Sequence, residues 1–107
     1  MAGTSALLGE RSWADVAEVA ATSMLVVPLG ATEQHGPHLP LDTDTTLATV
    51  LAHRLAARRS SAGHHDVLVA PALPYGSSGE HAGFAGTLSI GAAATELVVV
   101  ELVRSAD

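Results

Sequence analysis

The sequence predicts an α/β protein with a mostly parallel sheet. Two short apolar runs, residues 24–29 and 66–70, have the length and composition of buried strands. Each run is followed by a long segment rich in Gly and Pro, residues 30–42 and 71–86, which must be a loop. Stretches with helical patterning alternate with the strands, as in layered α/β proteins. Because working loops follow the carboxyl ends of parallel strands, we expect the two loops to meet at one edge of the sheet.

Three helices complete the predicted order of elements. Ser12, followed by Asp15, is typical of the cap of a short helix in SWADVAEVA. Thr43 or Asp44 is expected to cap a second helix, and a third is predicted over residues 92–105, although VVV at 98–100 also favours a strand. Residues 87–90 are a candidate short strand. The second helix carries one apolar stripe with three- and four-residue spacing: Leu47, Val50, Leu51 and Leu55.

Composition excludes several classes of function. The chain has 107 residues, a formal net charge of −6 and only five Lys and Arg, which argues against a nucleic-acid surface. It has no cysteine, so a disulfide scaffold, a Cys-ligated zinc site and a thiol nucleophile are excluded. No apolar stretch is long enough to span a membrane, and the N-terminus lacks the pattern of a signal peptide. We therefore expect one cytoplasmic domain with no membrane or nucleic-acid partner.

The first loop, GATEQHGPHLPLDTD, gathers side chains that can bind a metal. In an extended segment Glu33 and His35 face one way and Gln34 the other. Asp44 adds a carboxylate at the start of the next helix. Nitrogen and oxygen donors without sulfur suit Zn²⁺, Mn²⁺ or Fe²⁺, and Asp44 has two oxygens that can bridge two cations about 3.5–4 Å apart. His38 and Asp42 are predicted to orient these ligands through hydrogen bonds.

The second loop supplies a weaker signal. It places Glu80 and His81 among glycines, and His81 is the candidate catalytic residue at the substrate edge, with Ser78 or Glu80 beside it. An exposed flexible loop with incidental polar residues explains the same pattern equally well. His53 is expected on the surface of a helix. His64 and His65 are expected in a turn, and the spacing of these two histidines suits no loop-to-helix metal site.

Two long motifs carry a family resemblance. VVPLGATEQHGPHLPLDTDT closely resembles the first metal-binding motif of the creatininase family of metal-dependent amidohydrolases. PYGSSGEHAGFAGTLSIG resembles the second block of that family, G-x-S-x-E-H-x-x-F-x-G-T. Most of the family has Pro at the position of Ala85. The FAGT variant is most similar to the branch that serves mycofactocin biosynthesis, whose members trim the C-terminal dipeptide from a modified precursor peptide.

The resemblance implies a layered α/β/α fold and a two-metal site. Glu33 matches a ligand of one cation, His35 a ligand of the other, and Asp44 the bridging carboxylate. The family has two other ligands, a His and a Glu, in a region that follows the position equivalent to Asp107. Residues 1–107 therefore resemble the N-terminal half of one creatininase-like domain that is expected to be truncated at its C-terminus. The complete protein is expected to bind two divalent cations, Zn, Fe or Mn, and to form a homo-oligomer.

Alternatives remain open at this point. The substrate is expected to be a peptide or a small amide, and hydrolysis of creatinine or of a formamide uses the same apparatus as cleavage of a peptide bond. The alternative to an enzyme is a non-catalytic truncated remnant of the fold that binds metal weakly. On either reading the 107-residue chain alone is expected to be inactive.

Overall fold

Residues 5–107 are described by a computed structural model, in which the chain divides into two units. One unit consists of the residues up to Pro28 together with Thr49–Ala72, and the other of Leu29–Ala48 and Leu73–Asp107. The regular elements are, in order, helix α1, strand β1, helix α2, strand β2 and helix α3. Their bounds are Trp13–Val19, Met24–Val26, Thr43–Ser61, Val67–Val69 and Gly91–Ala106.

The first unit is built on a parallel sheet. β1 and β2 pair in parallel, with Met24 opposite Val67 and Val26 opposite Val69. On the other side of β2, the Val69 N–H donates to the Ala6 carbonyl at 2.8 Å. All three residues of β2 are buried, and its valines pack with two alanines of α2, Ala52 and Ala56. The predicted α/β class with parallel strands is confirmed.

Helix α1 follows its predicted cap. The Ser12 side chain accepts a hydrogen bond from the Asp15 N–H at 3.2 Å, which satisfies one of the donors that a helix start leaves free. The third predicted helix is also present, one residue longer at each end than expected. Its VVV segment is helical, so the strand alternative at 98–100 is wrong.

Two predictions about the first strand and the second helix need correction. The run 24–29 is regular only to Val26, because Pro28 has no N–H for a ladder. Met24 and Leu25 are 50% and 39% exposed, so the expected burial of this strand is wrong at its start. Thr43 begins α2 and is not its cap; the residue before it, Asp42, accepts the Thr46 N–H on its carbonyl.

The apolar stripe of α2 is not the buried face of the helix. The two buried residues of α2 are Ala52 and Ala56, whose small side chains let the helix lie close to β2. The predicted stripe is 40–65% exposed along its length. Helix α3 has no buried residue and exposes Leu97, Val100, Leu102 and Val103. Among residues 5–107, no helix combines the length and the apolar character needed to cross a membrane.

The unit that holds the two Gly-rich loops has little regular structure outside its helices. Isolated bridges take the place of strands: Leu29 with Leu73, Thr32 with Leu88, and Gly76 with Ser89. The short strand predicted at 87–90 is therefore reduced to two single bridges. A 3₁₀ turn, Gly79–His81, is the only helical turn within the second loop as described here.

An ion pair joins the end of α2 to the residue before β2 and predicts a pH-dependent stability. Arg59 donates to both carboxylate oxygens of Asp66, at 3.1 and 2.5 Å, and this bonding lowers the pKa of Asp66. A lowered folded-state pKa stabilises the fold above the usual Asp value of about 3.9, and this stabilisation disappears as pH falls through the folded value. The Arg59→Ala variant should have a slightly lower melting temperature than the parent protein near pH 7 and the same melting temperature near pH 2.

Circular dichroism at the two pH values measures this difference. Arg104→Ala is the matched control, because it also removes one positive charge. The Arg104 side chain makes only a 3.5 Å contact with Glu101 on an exposed helix. Both side chains of the Arg59 pair are about two-fifths exposed, so the expected shift is small. A difference for Arg59→Ala that persists unchanged near pH 2 would contradict the role assigned to Asp66.

Candidate metal centre

The first loop folds back on itself and so brings its two ends together. The Glu33 N–H donates to the Leu41 carbonyl at 3.1 Å, and His35 forms an antiparallel bridge with Leu39. Gly36 makes the reversal at φ 73°, a conformation that costs glycine little. The return arm leads directly into α2, so the first turn of that helix lies beside the outgoing arm.

Three of the predicted ligands meet at this point. Glu33, His35 and Asp44 each offer a ligand atom, and these atoms all lie within 4.8 Å of one another. His35 Nε2 is 3.2 Å from Asp44 Oδ1. Ligand atoms held about 2.0–2.2 Å from one cation lie roughly 3–4 Å apart, so this pair has a suitable spacing. Asp44 lies in the first turn of α2, where the helix dipole favours a carboxylate.

The hydrogen bonding of His35 tests whether a cation fits here. His35 Nδ1 lies 3.3 Å from the Glu33 carbonyl oxygen, which can only accept, so Nδ1 carries the proton. In the neutral ring, Nε2 then presents a lone pair to the Asp44 carboxylate. Two acceptors that face each other at 3.2 Å require a proton or a cation between them. A backbone carbonyl on the far nitrogen is also the usual arrangement for a metal-binding histidine. The donor set therefore fits a divalent cation.

The second loop is joined to the first by hydrogen bonds. The Leu88 N–H donates to the Thr32 carbonyl at 2.9 Å, and the Thr32 hydroxyl donates to the Pro74 carbonyl at 2.8 Å. The Gln34 N–H donates to the Thr87 hydroxyl at 3.2 Å. These bonds hold the 3₁₀ turn that carries His81 next to Glu33. The expectation that the two loops meet is thus met within this unit.

His81 approaches the cluster from the second loop. Its Nε2 lies 3.9 Å from Glu33 Oε2 and 3.7 Å from Glu80 Oε1. Glu33, His81 and Glu80 form a second group whose ligand atoms lie within 4.8 Å of one another. Glu33 belongs to both groups and is the least exposed of the five acidic and imidazole side chains that pair here, at 13%. Glu80 is 71% exposed, so it stands at the solvent side.

The remaining predicted site residues lie outside these groups. His38 and Asp42 are exposed, and within residues 5–107 neither side chain makes a hydrogen bond to Glu33, His35 or Asp44. Their predicted ligand-orienting role stays a prediction. His53 is exposed on α2, as expected. Ser78 is buried, 1% exposed, and its hydroxyl has no hydrogen-bond partner in the described part of the chain.

Gln34 is a contact that the sequence reasoning missed. Strand-like alternation predicted that Gln34 points away from Glu33 and His35, yet its side chain lies 2.9 Å from His81 Nδ1. The loop is not a strand in this stretch, so the alternation rule does not apply. The glycine at position 36 was the available signal in the sequence, because it predicts a turn rather than an extended segment. In that turn the Gly36 N–H donates to the Gln34 side chain.

Sequence comparison identifies similar proteins. The model of the creatininase family, described as creatinine amidohydrolase, matches residues 9–107. The chain is 55% identical over 84 residues to the mycofactocin precursor peptide peptidase of Mycolicibacterium smegmatis, covering 78% of the chain and 34% of that relative. It is 49% identical over 105 residues to the protein of the same name from Mycobacterium tuberculosis, covering 94% of the chain and 42% of the relative. The chain thus spans about a third to two-fifths of the length of these relatives.

Solved structures agree with this similarity. A mutant creatininase described as Zn-Zn type and a creatininase described as Mn each superpose with a TM-score of 0.82 at 32% identity. Each match covers 94% of the chain and 40% of the solved chain. The predicted creatininase-like fold is therefore confirmed.

Proposed function

The chain belongs to the creatininase family, and on that premise we propose that it carries metal-binding residues of a metal-dependent hydrolase of C–N bonds. One observation supports the proposal most strongly: Glu33, His35 and Asp44 converge, with His35 Nε2 aimed at Asp44 across 3.2 Å. The two solved creatininases whose descriptions name zinc or manganese are similar to this chain across 94% of its length. The complete protein is proposed to hold two divalent cations per subunit.

The proposed substrate is a peptide, specifically the C-terminal dipeptide region of the mycofactocin precursor. The support is the identity of 55% and 49% to relatives that carry that name. The alternative substrate class is creatinine or another small amide, which the description of the family favours. A homo-oligomeric state and a cytoplasmic location remain expectations from the sequence.

The chemistry proposed for this chain divides between its two loops. Glu33, His35 and Asp44 would hold the cations, which supply polarisation of the scissile carbonyl and activation of water. The Glu33 carbonyl fixes the ring of His35 and so keeps its Nε2 directed at Asp44. His81 lies beside Glu33 and holds a titratable ring at the margin of the cluster, which suits proton transfer to a leaving nitrogen.

Hydrolysis by the protein expressed from its complete coding region tests this function. Incubation with the precursor peptide should release a C-terminal dipeptide, detected by mass spectrometry, and parallel incubations with creatinine and a formamide should show little turnover. Removal of metal by a chelator should abolish the cleavage, and added Zn²⁺, Mn²⁺ or Fe²⁺ should restore it. Metal analysis after dialysis should give two cations per subunit, and fewer in the 107-residue chain.

Two results would contradict the proposed metal-dependent activity. Cleavage that survives complete removal of metal would exclude the metal-dependent mechanism. Failure to retain any divalent cation, with no turnover of the three substrates, would favour the non-catalytic remnant. Turnover of creatinine in preference to the peptide would keep the mechanism and change the substrate.

A further inference from the structure

The orientation of the Gln34 amide is fixed by a backbone donor. The Gly36 N–H donates to Gln34 Oε1 at 2.8 Å, and a backbone N–H can be accepted only by the amide oxygen. The other atom of the amide, Nε2, is therefore the NH₂ group. This NH₂ group lies 2.9 Å from His81 Nδ1.

The amide in turn decides the protonation of His81. An NH₂ group has no lone pair to offer, so His81 Nδ1 must accept the hydrogen bond. In the neutral ring the single proton then resides on Nε2, the nitrogen that faces Glu33 and Glu80. His35 has the opposite arrangement, with the proton on Nδ1 and the lone pair on Nε2. Two histidines on either side of Glu33 are thus held in opposite tautomers.

We propose that Gln34 is a positioning residue that holds His81 as the Nε2-protonated tautomer, so that His81 presents an N–H donor toward Glu33 and is not a metal ligand. The group Glu33, Glu80 and His81 has the spacing of a cation site. A protonated Nε2 cannot coordinate a cation, so the Gln34 bond separates this group from the group of Glu33, His35 and Asp44. The tautomer follows from the hydrogen bonds alone, whereas the distinction between the two groups as metal sites rests on the proposed function.

Nitrogen-15 NMR of histidine-labelled protein tests the tautomer directly. Protonated and unprotonated ring nitrogens have well-separated chemical shifts, so the spectrum of a neutral ring shows which of its two nitrogens carries the proton. The metal-free protein should show His81 with a protonated Nε2 and an unprotonated Nδ1. The signals are assigned by their loss in His81→Asn. A protonated Nδ1 in the parent protein would overturn the proposal without any further variant.

Gln34→Glu is the matched variant. A carboxylate has nearly the shape of the amide and can still accept the Gly36 N–H, but it cannot donate to His81 Nδ1. His81 Nδ1 should therefore change from unprotonated to protonated, while the ring of the exposed His53 should keep its signals. A His81 Nδ1 that stays unprotonated in this variant would show that Gln34 does not control the tautomer.

Addition of Zn²⁺ to the labelled parent protein separates this inference from the proposed function. The expected result is a shift of the His35 Nε2 signal with the His81 Nε2 proton retained. If neither histidine responds, the metal assignment fails and the tautomer assignment stands. If His81 Nε2 loses its proton to the cation, His81 is a ligand and the positioning role of Gln34 is wrong.

Discussion

Asp44→Ala is expected to abolish both metal retention and hydrolysis in the complete protein. Asp44 faces His35 Nε2 at 3.2 Å from the first turn of α2, and it is the predicted bridge between two cations. The loss of a bridging carboxylate weakens both sites and lets their separation change, whereas Glu33 and His35 are each predicted to serve one cation. We expect activity to fall by more than about 100-fold, beyond the roughly 10–100-fold typical of residues that only orient ligands. Hydrolysis rate and metal content measure the effect with excess divalent cation supplied.

Asp42→Ala is the matched control for Asp44→Ala. Asp42 is two residues away, also acidic, exposed, and without a side-chain hydrogen bond to the three clustered residues in the part of the chain described here. Its replacement removes the same charge and should cost far less activity, at most the tens-fold of an orienting residue. Loss of metal and activity in Asp42→Ala, with both retained in Asp44→Ala, would show that the bridging role belongs to the other aspartate.

The cluster around Asp44 was predictable because its determinants are local. Glu33 and His35 follow a strand, a glycine and prolines force the chain to return, and an aspartate lies in the first turn of the next helix. These features specify a loop whose two ends meet, independently of the rest of the fold. The Ser12 cap of α1 and the apolar strand β2 were predictable for the same reason.

Features that depend on distant contacts were not predictable. Gln34 and His81 are 47 residues apart, and their contact exists because bridges such as Thr32–Leu88 join the two loops. The choice of buried face on α2 is similar. Its leucines form a clear stripe, but β2 packs against Ala52 and Ala56, and periodicity alone does not say which face meets the sheet.

Gly30→Ala is expected to have the largest effect on stability, and it reaches the proposed metal-binding residues through the backbone. A Cβ at position 30 would overlap the Thr45 hydroxyl and would lie 2.5 Å from Thr45 Cα, which real Cβ atoms do not tolerate. Thr45 follows Asp44 directly and its hydroxyl donates to the Ala31 carbonyl at 3.1 Å. Because the clash involves backbone, the loop and the start of α2 must move apart. Overpacking of this kind costs about 1–3 kcal/mol and occasionally more.

The separation should also weaken zinc binding, because Glu33 and His35 lie on the loop and Asp44 lies on the helix. Thermal unfolding and Zn²⁺ titration of the same preparations measure the two effects. Gly79→Ala and Gly83→Ala are the matched controls: neither glycine has a positive φ, and an added Cβ would meet no atom within 4 Å at either position. Both controls should keep the melting temperature and the zinc affinity of the parent. If Gly30→Ala behaves as they do, the loop and the first turn of α2 are not packed closely enough for Gly30 to set the distance between Asp44 and the other two proposed ligands.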